Sequence, residues 1–85
     1  MFKVDLTRQQ YKLLKSVDNV TGHWNRQSGT ITVTYDELMK DGNYIGNDPV
    51  NVEAYIFHML DDLHGSKLLV ARNLYKLFHN ARLGL

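Results

Sequence analysis

The residues whose types and spacing could do chemistry fall into two groups, one acid–imidazole and one basic. His58, Asp61, Asp62 and His64 make the densest polar cluster in the chain. On a continuous helix His58 and Asp62 would share one face, and Asp61 and His64 a neighbouring one. Imidazole nitrogen and carboxylate oxygen could together hold a divalent ion. A metal needs at least three converging ligands, and this spacing gives two separate pairs. The cluster therefore reads as the solvated end of an amphipathic helix, with no metal site and no cofactor. The six glycines are scattered at turns, in neither dinucleotide nor phosphate-loop spacing, and no Gly-x-Ser-x-Gly elbow occurs. Without cysteine there is no thiolate ligand, thiol nucleophile or disulfide. The expectation is a protein that is not an enzyme.

The basic residues are more suggestive. Arg72, Lys76 and His79 recur at i, i+4 and i+7, with Arg82 nearby, and no acid interrupts the stretch. Arg8, Lys12 and Lys15 recur at the same spacing, and Arg26 lies in a turn-rich segment. Such rows can track phosphates. They are also what a solvated helix face looks like, and bases favour a helix C-terminus. Trp24, Tyr35 and Tyr44 could stack on nucleobases, or could serve as core and half-buried strand residues. Net charge is only +1, but it is unevenly spread. Residues 1–35 carry five bases and two acids, residues 36–65 one base and seven acids, and residues 66–85 four bases and no acid. Two basic ends around an acidic middle point to a charged partner.

These side chains must be positioned by a small set of elements. Thr7 and Gln10 form a capping pattern for a first helix, with Tyr11, Leu13, Leu14 and Val17 as its apolar stripe. Val20 to Trp24 reads as a short strand, and Asn25 to Gly29 as a turn. Ile31, Val33 and Tyr35 alternate with three threonines, the signature of a half-buried strand. Thr34 and Glu37 cap a second helix that Gly42 ends. Residues 41–49 read as a loop. Asp48-Pro49 opens a third helix running to about Leu63, with Val52, Ile56, Met59, Leu60 and Leu63 on one face, and Gly65 stops it. Ser66 caps a fourth helix reaching about Arg82, with Val70, Leu74, Leu77, Phe78 and Ala81 inward.

The whole is an α+β chain: about four helices with one small β-hairpin, as a single domain over residues 1–85. Hydrophobic residues make up 44% and charged residues 22% of its 85 positions. That suffices for one core without staples. The N-terminus meets charge at Lys3 and Asp5, so no secretory signal is read there, and no window is long and apolar enough to span a bilayer. A cytoplasmic protein with no membrane partner is expected.

Leu6-Thr7-Arg8-Gln9-Gln10-Tyr11-Lys12-Leu13-Leu14 is similar to the first helix of winged helix-turn-helix effector domains. Thr32 to Leu38 resembles the short strand and second helix of that family, and plasmid and phage replication initiators carry comparable stretches. The resemblance implies a winged-helix-like DNA-binding regulatory domain in which Val50 to Leu60 occupies the recognition-helix position. That segment offers Asn51, Glu53, Tyr55 and His58 in place of arginines and lysines. Residues 66–82 read as a helix where the family has its wing.

The expected function is therefore binding of nucleic acid in transcription or replication control, in a chain whose size suits a phage or mobile element. Arg8, Lys12, Lys15, Arg26, Arg72, Lys76 and His79 are the candidate contacts. The alternative is a small phage-type inhibitor or adaptor that docks on a host protein through the acidic third helix or the apolar loop. One consequence needs no tertiary information: Thr34→Ala should cost about 1 kcal/mol by removing an N-cap. A denaturation midpoint equal to the parent's would mean that no helix starts at this threonine.

Overall fold

A computed structural model describes residues 2–17, 20–41 and 49–84. Its elements are β1 (Lys3–Leu6), α1 (Arg8–Val17), β2 (His23–Asn25), β3 (Thr30–Thr34), α2 (Tyr35–Asp41), α3 (Pro49–Met59), a 3-10 turn (Leu60–Asp62) and α4 (Gly65–Leu83). The α+β class holds among the described residues, with four helices. The hairpin β2–β3 is part of a three-stranded antiparallel sheet in the order β1-β3-β2. Residues 42–48, which hold Gly42, Tyr44, Asp48 and most of the loop expected over 41–49, lie outside the described residues.

The sequence reading lacks β1. Its signal is a period of two: Phe2, Val4 and Leu6 are buried while Lys3 and Asp5 are exposed. The strand is only four residues long and runs almost directly into α1, so it reads as a charged lead-in. Its pairing with β3 places Val4 opposite Val33 and Leu6 opposite Ile31. Val4, Leu6 and Val33, with Leu14, Leu38, Val52, Ile56, Leu74 and Phe78, build the core, and Ile31 is half-buried. Phe2 closes one end of it, edge-on to Phe78 at 5.1 Å between ring centroids.

Both capping boxes form. The Thr7 N–H donates to Gln10 Oε1 at 2.9 Å, and the Gln10 N–H donates to Thr7 Oγ1 at 3.2 Å. At the second box the Thr34 N–H donates to Glu37 Oε1 at 2.9 Å and the Glu37 N–H returns to Thr34 Oγ1 at 3.5 Å. Tyr35 opens α2 and so leaves the strand to which its alternation assigned it. The fourth helix starts at Gly65, with His64 as an N-cap that makes no side-chain cap bond, so Ser66 is inside the helix and not its cap. Gly84 ends it at φ 76°, donating its N–H back to the last turn.

The connection from α1 to β2 is fixed by one side chain. The Tyr11 hydroxyl donates to the Val20 carbonyl at 2.7 Å and accepts from the Gly22 N–H at 3.1 Å. Gly22 lies so close to β3 that a Cβ there would sit 2.4 Å from Ile31 Cγ2 and 3.3 Å from the Thr32 carbonyl oxygen. Gly22→Ala should therefore destabilise by about 1–3 kcal/mol through overpacking. Chemical denaturation measures this, and a midpoint matching the parent's would contradict the packing described.

Candidate functional site

The register of the sheet aligns Leu6, Ile31 and Trp24 in one row on the helix-covered face. Burial falls along that row. Leu6 is fully buried, Ile31 is half-buried, and Trp24 on the edge strand is 48% exposed. The indole is left partly open at the sheet's border. Because α1 starts right after β1, its first residue returns to this border. The Arg8 guanidinium carbon lies 4.9 Å from the centroid of the Trp24 ring.

The other bases of α1 continue from there. Lys12 and Lys15 are exposed one and two turns on, and Lys15 Nζ lies 5.7 Å from the Tyr11 ring centroid. Arg26 is exposed in the hairpin turn two residues past Trp24. That turn is held by Asn25, whose Oδ1 accepts the Gln27 N–H at 3.1 Å, and by Gly29 at φ 70°. The opposite sheet face is different. There the Thr32 hydroxyl donates to Asp5 at 2.6 Å, and His23 pairs with Glu37.

The bases of α4 divide. Arg72 and Lys76 are exposed. His79, expected on the same solvated face, is half-buried and bound to α3. Its Nδ1 lies 2.5 Å from Glu53 Oε1, while Arg82 Nε donates to Glu53 Oε2 at 2.5 Å. A carboxylate only accepts, so His79 Nδ1 carries the proton. Glu53 is a buried charged residue, at 5% exposure. Burial pushes its carboxyl up, but the hydrogen bonds and charges of Arg82 and His79 outweigh that and hold it below the usual carboxylate range. The sequence did carry a signal for this. Pro49, Val52, Glu53 and Ile56 share the i, i+3, i+4, i+7 stripe that α3 buries, so an acid on it requires a cationic partner.

Above the trio, α3 and α4 leave an open groove of about 270 Å³ lined by Ala54, Phe57, His58, Tyr75, His79 and Arg82 among others. Tyr75 stacks on His79 with 5.9 Å between centroids, and Phe57 tilts against Tyr75 at 5.5 Å. His58, Asp61, Asp62 and His64 are all exposed, and α3 ends at Met59, so the shared helical faces drawn for them do not exist. Among the described residues no group of three or more His, Asp or Glu side chains comes together. No helix among them is long and apolar enough to cross a membrane.

Compared with protein-family models, curated proteins and solved structures, the chain matches none.

The Glu53 cluster generates a pH-dependent stability. A carboxyl whose pKa is lower folded than unfolded stabilises above its ordinary value of 4.5 and loses that contribution as pH falls through the folded value. Glu53→Gln should cost about 1–3 kcal/mol at pH 7. The gap between variant and parent should shrink as the pH is lowered below the ordinary value. A gap independent of pH from neutrality down to acid would contradict the ion pairing.

Proposed function

We propose that the protein is a small nucleic-acid-binding domain of regulatory type and not an enzyme, and that its binding surface is formed by α1 and the β2–β3 turn. One observation carries this reading: an exposed tryptophan with an arginine over its ring, at the end of a row of exposed bases. Phosphate contacts supply affinity, and an aromatic face supplies a platform for a base. The residues assigned to the surface are Arg8, Lys12, Lys15, Trp24 and Arg26. Arg72 and Lys76 are exposed candidates on α4, while His79 is committed to Glu53.

The resemblance to winged helix-turn-helix domains supports the same class of ligand. It would give the reading role to α3. That helix exposes Asn51, Tyr55, Phe57 and His58 and no arginine or lysine, so the surface proposed here is α1 and the hairpin. A second reading, docking on a protein partner through the α3–α4 groove, is favoured by the exposure of Tyr55 and Phe57 on α3.

The two readings separate on a salt series. Binding to random single-stranded and duplex oligonucleotides should weaken linearly in log affinity against log salt. Lys12→Ala with Lys15→Ala should flatten the slope by roughly 1.4 on a single strand and 1.8 on a duplex. Arg72→Ala with Lys76→Ala reports the α4 contribution on the same series, and a larger flattening there would move the site to α4. Absence of binding to either form at low salt would sink the nucleic-acid reading and leave the groove on α3 and α4.

A further inference from the structure

We propose that the ligand of this surface is single-stranded nucleic acid, with an unpaired base stacked on Trp24 and its flanking phosphates held by Arg8, Lys12 and Arg26. The inference rests on the nucleic-acid reading and narrows it. In a duplex each base face is covered by its neighbours. A protein ring can then reach a base only if the base is unpaired or is first taken out of the stack. Trp24 lies on an edge strand, beside α1 and not at the tip of an element that could wedge between base pairs. Arg8 lies over its ring, and nearly half of the residue's surface stays open. A sheet-borne aromatic beside a basic track is suited to a splayed strand, where stacking tolerates any base.

The charges agree. The first turn of α1 holds no acid, and Arg8 adds to the positive end of the helix dipole next to the indole. Arg8, Lys12 and Lys15 extend about 10 Å along the helix axis, long enough for successive phosphates of one strand. Two described acids that contact the sheet face elsewhere: Asp5 is bonded to Thr32, and Glu37 to Thr34 and His23, on the far side of the sheet.

Trp24 is the single tryptophan of the chain, so its fluorescence reports this site alone. The test titrates the full chain with an oligothymidine single strand and with a random-sequence duplex of equal length, at matched low salt. The single strand should quench Trp24 and bind more tightly than the duplex. Trp24→Leu should weaken single-strand binding about ten-fold or more, and Trp24→Phe should retain most of it. Circular dichroism of each variant verifies folding, and the parent's quenching needs no variant at all. Salt-dependent single-strand binding without quenching, equal affinity of Trp24→Leu and parent, or a preference for duplex would each overturn the inference while leaving nucleic-acid binding in place. Binding to neither form would overturn both.

Discussion

Strand β3 lies between β1 and β2, and the placing of the sheet and of α1 depends on the two pairings it makes. Its inward side chains, Ile31 and Val33, meet Leu6 and Val4 on one flank, and Ile31 meets Trp24 on the other. The first flank is deep in the core under α1 and α4. The second is at the edge, where nothing covers the indole completely. Because Thr7 is the only residue between β1 and α1, the pairing of β1 also fixes where α1 begins. Arg8 is brought over Trp24 by that constraint. Tyr11 and Gly22 complete it by holding the α1–β2 connection against β3. The candidate surface is thus a product of sheet register and not of any local motif.

The α3–α4 half is organised by a different interaction. Glu53 sits on the buried stripe of α3 and is matched from α4 by Arg82 and His79. Removing a carboxylate from water is costly unless its lone pairs are used. Here both oxygens are used, and the two helices are locked in one relative rotation. That same arrangement withdraws His79 and the Arg82 Nε from the pool of free bases. The positive charge with no carboxylate partner among the described residues then rests on Lys3 of β1, on α1, on the hairpin turn and on the exposed part of α4.

Local signals in the sequence carried the helices well. Caps at Thr7 and Thr34 and the stop at Gly84 depend on neighbours three or four residues away, so they can be read along the chain. Leu14, Val52, Ile56, Leu74 and Phe78 fall on the faces their periodicity implied. What was not legible is non-local. β1 pairs with residues 25 to 31 positions away, as from Leu6 to Ile31 or Lys3 to Thr34. Glu53 meets a histidine 26 residues on. A period of 3.6 in α4 could separate an apolar from a basic side, but it could not show that α3 reaches across to claim His79. The Arg8–Trp24 contact was equally hidden, although both residues were candidates separately. The metal reading of the His58 cluster required a continuous helix, and α3 stops at Met59 before Asp61 and Asp62.

The central claim is that α1, Trp24 and the hairpin turn form one nucleic-acid surface. Its most direct test is a map of amide and indole chemical shifts in the labelled protein as a single-stranded oligonucleotide is added. The one tryptophan indole N–H should move, together with amides of Arg8 to Lys15 and His23 to Gly29, while Glu53, His79 and the α3–α4 groove stay still. Shifts centred on Phe57, Tyr75 and His79, with Trp24 unmoved, would contradict it.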